Sequence, residues 1–540
     1  MPRRAGLLTA FSLLLIALLG SCHPRETPVQ EGIRTGTLLV GNGAEPADLD
    51  PQVSTILTDQ IIEMALFEGL TSLDEQTTLP VPAAAERWEV SPDGLVWTFH
   101  LRAGLRWSNG DPLSADDFLQ SWRRILNPAF ASGAAWYLYP VKNAEAFNSG
   151  KLTDLAAVGL AAPDARTIVI TLEHPTPYLP ALVSLPGWFP VNPRVLAKFG
   201  GWDKLGSTWT RAGHLVGNGP FTLTEWTPNA RIVVEKNPHY WAAAATQLHR
   251  IIFFPTDNTD TEERSFRAGQ LHVTRTLPLT KLAAWREHDP AQLRLDPQTQ
   301  ANYLRFNVTR PPFNDARVRQ AFALAIDRPL LARTVLLGSH PAATAFTPPG
   351  TGGYTARASV GTDFAAARRL LAEAGYAEGR GLPAIELQTV ANETFPRVCE
   401  ALQAMWQREL GVRVTLTQVE QKTWIQNQQS LNYTLITSGW TADFPDPVTY
   451  LNLFTSDSSY NWTGWKNPAY DRLLDEAGRT IDSTQRYELF QEAEALLLHE
   501  APITPVFLGA QTYLIHPAVR GWVPAPLVLR RFQQVSLQEP

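Results

Sequence analysis

The spacing of apolar residues along the chain predicts a mixture of helices and strands. Apolar residues three or four positions apart follow Ser114, Asp315 and Asp363, each of which can cap a helix. Strict alternation from Trp97 to Leu101 is typical of a half-buried strand. The pattern therefore indicates an α/β protein.

The C-terminal half shows the clearest periodicity. A strand is predicted over Ile385 to Val390, a helix that ends at Gly411 follows it, and a second strand is predicted over Val412 to Val419. A strand, helix and strand within about 35 residues predict a crossover that brings the two strands together in parallel.

One loop after this crossover combines an aromatic ring with an acid. The apolar run Tyr433 to Ile436 predicts a short buried strand that breaks at Gly439, and Trp440 and Asp443 follow. Ligands of α/β sheets bind beyond the carboxyl ends of the strands. Asp443 is therefore a candidate receptor for a cationic ligand group, and the alternative is a surface loop with a solvated acid.

Length and composition limit the class of protein. A chain of 540 residues is too long for one core, and 44% hydrophobic with 18% charged residues fits a globular chain that is neither disordered nor integral to a membrane. The net charge of −6, with no basic run, argues against nucleic-acid binding.

The N-terminus predicts export. Residues 1–22 combine a short positive region, an apolar core over Leu7 to Leu19 and small residues before Cys22, which resembles the lipobox of bacterial lipoproteins. Lipidation of Cys22 would anchor the chain to a membrane, and an ordinary secretory signal is the alternative. Residues 23–36 are expected to form a flexible tether to a first strand at Thr37.

Motifs of enzymes and metal sites are missing. The sequence has no G-x-S-x-G, H-E-x-x-H or C-x-x-C motif and no phosphate-binding glycine loop, so neither a metal nor a cofactor is expected. Cys399, the one thiol beyond Cys22, is expected to be a small buried side chain. A hydrolase whose catalytic groups come from distant parts of the chain stays an alternative.

Short motifs spread over the whole mature chain resemble those of the oligopeptide-binding proteins of ABC importers, which are members of solute-binding protein family 5. These motifs are Ala47–Pro51 with Leu66–Leu70, Trp97–Arg102 with Arg106–Asp111, Asn218–Phe221 with Asn237–Trp241, Arg310–Arg319 with Ala325–Arg328, Leu370–Tyr376, and Gly439–Asp443. They occur in the family's order.

The resemblance implies a type II periplasmic-binding-protein-like fold with two lobes and three domains. Domain I would be discontinuous, domain II would be an insertion, and the lobes would close by a hinge. The implied boundaries are 37–70, 214–299 and 509–540 for domain I, 71–213 for domain II and 300–508 for domain III.

The resemblance also implies a peptide receptor that is not an enzyme. Asp443 would bind the α-ammonium group of the peptide, and backbone groups of Gly439, Thr441, Thr55 and Leu57 would pair with the peptide main chain. Further candidates for pocket walls are Trp440, Trp136, Tyr137 and Trp462. The protein would act as a periplasmic or extracytoplasmic monomer that delivers its ligand to an ABC permease.

The sequence departs from the family at the carboxylate end of the ligand. The positions at which family members carry cations hold Leu336, Phe395, Gln428 and Thr437. Either Arg397 or another arginine replaces them, or the far end of the ligand is amidated, branched, too long for the cleft or not a peptide terminus. Cell-wall peptides, dipeptides or another solute remain alternative ligands, and a chaperone-like or signalling role remains an alternative function.

Overall fold

The computed structural model describes residues 26–54, 56–392 and 394–539. The strands are β1 Thr37–Gly41, β2 Thr71–Leu73, β3 Pro80–Pro82, β4 Ala85–Val90, β5 Val96–Leu101, β6 Leu160–Asp164, β7 Thr167–Thr171, β8 Phe221–Thr227, β9 Arg231–Lys236, β10 Arg250–Phe254, β11 Leu293–Phe306, β12 Ile385–Val390, β13 Val414–Val419, β14 Leu435–Thr441, β15 Ile503–Leu514, β16 Val519–Arg520 and β17 Ser536–Leu537.

Helices alternate with these strands along the chain. The α-helices span Pro28–Thr35, Leu57–Leu66, Ala115–Leu126, Ala144–Asn148, Leu179–Leu182, Pro193–Phe199, Thr259–Arg267, Leu282–His288, Ala316–Leu324, Arg328–Thr334, Phe364–Glu373, Phe395–Leu410, Gln421–Gln429, Val448–Leu451, Pro468–Arg479 and Ser483–Glu500. Ser114, Asp315 and Asp363 are N-cap residues, as the sequence predicts.

Three larger sheets organise the described residues into two lobes. The first lobe holds the sheets β1-β10-β9-β8 and β4-β5-β7-β6, and the second lobe holds the five-stranded sheet β13-β12-β14-β11-β15. In the first lobe, Trp122 and Trp188 are fully buried and pack edge to face at 5.1 Å. In the second, Trp406 of the helix Phe395–Leu410 packs on Phe322 at 5.0 Å. The α/β prediction is confirmed.

The predicted crossover is confirmed as well. Strands β12 and β13 pair in parallel, and β14 pairs in parallel with the other edge of β12. The loop that follows β14 therefore leaves the sheet at the carboxyl edge of all three strands. The prediction that the strand breaks at Gly439 is wrong, because β14 continues through Gly439 to Thr441 by pairing with β11.

A two-stranded ribbon connects the lobes. Strands β11 and β15 are antiparallel from the pair Leu293 and Leu514, in the apolar cluster of the first lobe, to Leu304 and Thr504, beside the core of the second. The register shifts between Pro297 and Ala301, so the ribbon is irregular where it passes between the lobes. The three sheets belong mainly to different predicted domains, although β11 crosses the predicted boundary at residue 300 and β15 crosses that at residue 508. The domain boundaries stay a prediction.

The N-terminal segment corrects one prediction. The tether predicted over residues 23–36 contains a helix, Pro28–Thr35, because Thr27 and Gln30 form a capping box and Gly36 ends the helix in the left-handed region at φ 68°. Val29 of this helix packs in the cluster that holds Leu514. Residues 28–35 are therefore docked on the first lobe.

Two predictions at the N-terminus fall outside the described residues. These are the signal peptide over residues 1–22 and the lipidation of Cys22. None of the helices in the described ranges is long and apolar enough to cross a membrane. Cys399 is buried, as expected.

Candidate functional site

The carboxyl end of β14 presents an unpaired backbone edge. Strand β12 pairs with β14 only at Leu435 and Ile436, and the indole of Trp424 donates a hydrogen bond of 3.0 Å to the Thr437 carbonyl. Beyond that point, no described strand pairs with this edge of β14 from Ser438 to Thr441. An exposed edge of this kind can accept an extended peptide as a further strand.

A side chain of β11 lies close to β14 at Gly439. A Cβ atom at Gly439 would lie 3.1 Å from Oδ1 of Asn302, the residue that opposes Gly439 on β11. A larger residue at position 439 would therefore require the side chain of Asn302 to move by a few tenths of an ångström. The predicted binding residues Gly439 and Thr441 thus lie in a regular strand whose outer edge is free among the described residues.

Asp443 and Trp440 share one hydrogen-bonding partner. Thr449 Oγ1 lies 3.3 Å from Oδ2 of Asp443 and 3.5 Å from Nε1 of Trp440, and it accepts a 3.4 Å hydrogen bond from the Asp443 backbone. The Asp443 residue is exposed to solvent, yet the surrounding protein raises the pKa of its carboxyl by burial. No described cation forms an ion pair with it, so this carboxylate is available to a positively charged ligand group.

The first lobe faces this acid with aromatic side chains. Trp136 and Tyr137 belong to the 3₁₀ helix Ala135–Leu138 and stack at 3.9 Å. Burial, together with the charge of Asp443, raises the pKa of Tyr137 to about 12. The charge of Asp443 thus acts on a residue of the opposite lobe.

An adjacent contact bridges the lobes directly. The rings of Tyr178, in the first lobe, and Phe444 are almost parallel, with an interplanar angle of 10° and centroids 4.7 Å apart. Since Phe444 directly follows Asp443, this contact places the acid at the boundary between the lobes.

A buried ion pair holds the end of the loop that carries Asp443. Arg486 donates hydrogen bonds of 2.6 and 2.7 Å to the two oxygens of Asp446, and both side chains are almost fully buried. A bidentate pair fixes the carboxylate plane as well as its distance. Since Asp446 follows Asp443 by three residues, this pair restricts where the free acid can point.

The other predicted site residues lie in different surroundings. Trp462 contacts Tyr460, which contacts Trp440, so Trp440 and Trp462 belong to one aromatic cluster. Leu57 begins the helix Leu57–Leu66 and is half-buried against the core of the first lobe. Thr55 is outside the described residues, and no finding tests the binding roles predicted for these residues.

Arg397 is exposed in the first turn of the helix Phe395–Leu410, and no described residue forms an ion pair with it. The four positions that lack the family's cations hold neutral side chains that face the interior. Leu336 and Phe395 pack in the apolar core of the second lobe, while Gln428 and Thr437 are buried and hydrogen-bonded.

Sequence reasoning missed several residues of the site. Thr449 and Tyr178 gave no signal, because their contacts depend on how the loop and the lobes pack. Arg305 did give one, since it is a lone charge in the apolar stretch from Tyr303 to Phe306 of β11. The structure buries that arginine beside the aromatic cluster.

Comparison with known proteins identifies the family. The model of the middle region of bacterial extracellular solute-binding proteins, family 5, matches residues 80–462. The chain belongs to this family. Family members are solute-binding transport proteins, which agrees with the exposed acid and free strand edge described above.

Two relatives match almost the whole chain. The probable deoxycholate-binding periplasmic protein YgiS of Escherichia coli is 36% identical over 489 residues, which cover 89% of each chain. The periplasmic oligopeptide-binding protein OppA of Salmonella typhimurium is 34% identical over 523 residues, which cover 94% of each chain. Both relatives are periplasmic.

Two solved structures of the murein tripeptide-binding protein MppA, one of them described as that of Escherichia coli, are 32% identical to this chain. The unliganded open form covers 95% of this chain and 99% of its own, with a TM-score of 0.86. The other structure covers 93% and 98%, with a TM-score of 0.71. Because the sequence identity is the same, the higher score shows that the lobes of this chain are arranged as in the open form. An open cleft accounts for the exposure of Asp443.

Proposed function

We propose that this chain is a lipid-anchored receptor that captures oligopeptides in the cleft between its lobes and delivers them to an ABC permease. The observation that carries the proposal is the carboxylate of Asp443, which faces the opposite lobe without a cationic partner among the described residues. A peptide with a free N-terminus supplies that partner, since its ammonium group would form a charge-assisted hydrogen bond to the acid.

The strand edge supports the same ligand. Main-chain pairing along Ser438 to Thr441 would hold a peptide backbone next to Asp443, and such pairing does not depend on the peptide's side chains. The aromatic side chains Trp136, Tyr137, Trp440 and Trp462 would then form the walls of the side-chain pockets. The relatives whose names include oligopeptide and murein tripeptide binding fit this interpretation.

Closure of the lobes would complete the site. The structure matches an open form, and both lobes already contribute aromatic rings next to Asp443. Closure would remove water from the ion pair, which strengthens the interaction between the ammonium and the carboxylate. Exchange of peptide would then require the lobes to reopen.

A bile acid is a second candidate because the relative YgiS is named for deoxycholate. Deoxycholate carries a negative charge and no ammonium group, so Asp443 would repel it. The unpaired acid therefore favours a peptide over a bile acid for this chain.

Calorimetry with three ligands tests the proposal. A free-amine tripeptide should bind tightly, while its N-acetylated form should bind at least tenfold more weakly, because acetylation removes the charge that pairs with Asp443. Deoxycholate should produce no binding heat. Equal affinities for the free and acetylated peptides would contradict the assigned role of Asp443, and binding of deoxycholate alone would replace the peptide by the bile acid.

A further inference from the structure

Arg305 is a buried charge without an acidic partner. Arg305 is 1% exposed and lies one residue before the end of β11. Three other buried arginines form close ion pairs, in which Arg124 binds Asp50, Arg486 binds Asp446 and Arg530 binds Glu75 at 2.6 to 2.8 Å. No aspartate or glutamate of the described residues forms such a pair with Arg305. An uncompensated buried charge is costly, so its presence calls for an explanation. Arg328, also 1% exposed, is a second buried arginine that pairs with no acid of the described residues.

All described hydrogen-bond partners of this guanidinium are neutral. Its Nε donates to the Ser438 hydroxyl at 3.0 Å, and its terminal nitrogens donate to the Tyr460 carbonyl at 3.0 Å and the Tyr303 hydroxyl at 2.9 Å. A guanidinium has five N–H groups. One N–H group on each terminal nitrogen therefore has no acceptor among the described residues, and two such donors are suited to a carboxylate.

The surroundings of Arg305 belong to the candidate site. Its charge lies 4.9 Å from the ring centre of Trp462, within the range of a cation–π interaction. Residues that oppose each other in β11 and β14 point to the same face, so Arg305, Ser438 and Trp440 share one face of the sheet. That face also carries Tyr460, which contacts both tryptophans.

Tyr460 also lies between the guanidinium of Arg305 and solvent. The residue is 46% exposed, its carbonyl accepts a hydrogen bond from Arg305, and it lies in a segment without regular secondary structure. For Arg305 to reach a ligand Tyr460 would have to move, and Tyr460 belongs to no strand of the sheet.

We propose that Arg305 binds a carboxylate of the ligand, and this inference rests on the proposed function. The two unpaired charges come from adjacent strands, since Asp443 follows β14 and Arg305 lies in its neighbour β11. Together they are complementary to a ligand that carries an ammonium group and, further along, a carboxylate. The carboxylate is either an acidic side chain or the terminal group of a short peptide.

Matched peptides separate these two sources. Amidated tetra-alanine peptides with a free amine would carry Glu or Gln at the second, third or fourth position, and one Gln peptide would be made with a free carboxyl terminus. Calorimetry should show at least one carboxylate peptide that binds the wild-type protein tenfold or more tightly than its neutral counterpart. A preference for Glu identifies the side chain, whereas a preference for the free acid identifies the terminus.

Substitution then tests whether Arg305 causes that preference. In Arg305→Gln the two affinities should agree within twofold. Arg305→Lys keeps the charge but not the forked geometry. In this variant the ratio of the affinity for the carboxylate peptide to that for its neutral counterpart should fall at least threefold. Arg328→Gln is the control, because Arg328 is equally buried and also donates to neutral groups only, which are backbone carbonyls and the Thr504 hydroxyl. In that control the affinity for the carboxylate peptide, relative to its neutral counterpart, should be the same as in the wild-type protein.

The outcomes distinguish this inference from the proposed function. Equal affinities for all peptides in the wild-type protein, or an unchanged preference in both Arg305 variants, would overturn the role of Arg305 and leave the peptide receptor intact. Absence of binding by every peptide would overturn the proposed function, and this inference with it.

Discussion

Tyr178 and Phe444 stack across the cleft, with ring centroids 4.7 Å apart and an interplanar angle of 10°. Phe444 directly follows Asp443, so this contact ties the position of the candidate ligand-binding acid to the first lobe. The guanidinium of Arg486 lies 5.5 Å from the Tyr178 ring and also binds Asp446. The loop 443–446 is thus held from both lobes.

Removal of the Tyr178 ring should therefore weaken peptide binding. A stacked pair contributes about 0.5–1.5 kcal/mol beyond its buried area, which corresponds to a loss of affinity of up to about tenfold in Tyr178→Ala. Calorimetry with a free-amine peptide measures this loss. Tyr178→Phe keeps the ring and should bind as the wild type does, and equal binding by the alanine variant would show that the stack does not position Asp443.

Asp443→Asn should weaken peptide binding without lowering the stability of the ligand-free protein. Loss of the carboxylate would leave the peptide ammonium unpaired in the cleft, at a cost of about 3–5 kcal/mol, so affinity should fall by about a hundredfold or more. Burial raises the pKa of Asp443, which means that the charged form is unfavourable in the ligand-free fold. The melting temperature of the variant should accordingly equal or exceed that of the wild type.

The control for this variant is Asp203→Asn, which neutralises an exposed acid of the first lobe. It should leave both affinity and melting temperature unchanged. If Asp443→Asn bound the peptide as tightly as the wild-type protein, the predicted polarity of the ligand would be wrong.

Peptide affinity should decrease in acid. The ammonium of a bound peptide favours the charged form of Asp443, so the pKa of this group is lower in the complex than in the free protein, where burial raises it. When the pH falls through the pKa that Asp443 has in the free protein, the carboxyl becomes protonated and must lose that proton before it can pair with the peptide. Affinity therefore drops over that interval. A second decrease should begin near pH 8, at which the peptide amine loses its proton.

A pH series of titrations on the wild-type protein and Asp443→Asn checks this expectation. The acid limb should disappear in the variant, while the alkaline limb, which comes from the peptide, should remain. An identical acid limb in both proteins would assign the proton to another group.

Local patterns predicted much of the fold because their causes are local. The caps at Ser114, Asp315 and Asp363 depend on residues two or three positions away, and the crossover between β12 and β13 follows from spacing alone. The helix Pro28–Thr35 has an equally local signal, the capping box of Thr27 and Gln30, which the polar composition of the segment obscured.

The rest of the site depends on long-range pairing. β14 passes through Gly439 only because β11 opposes it, and Asn302, the residue of β11 that opposes Gly439, lies about 140 residues earlier in the chain. The same register places Arg305 beside Ser438, and lobe packing places Tyr178 on Phe444. No pattern within a short window contains these relationships.

Breaking the buried ion pair between Asp446 and Arg486 should destabilise the protein strongly. Asp446→Asn would strand a buried guanidinium, so the free energy of unfolding should fall by about 3–5 kcal/mol. Urea denaturation measures the difference. Asp475→Asn, which breaks an exposed pair with Arg479 on one helix, is the matched control and should leave stability unchanged. Similar changes in the free energy of unfolding for the two substitutions would show that the buried pair stabilises the protein no more than the exposed pair does.

Membrane attachment should depend on Cys22 alone. The N-terminal residues 1–22 resemble a lipoprotein signal, and acyl chains on Cys22 would anchor the mature chain without a spanning helix. The full-length protein expressed in a bacterium should incorporate a labelled fatty acid and sediment with membranes, and Cys22→Ser should incorporate none. Cys399→Ser is the control for loss of a thiol, because Cys399 is buried in the second lobe. A Cys22→Ser protein that still incorporates the fatty acid would exclude Cys22 as the lipidation site.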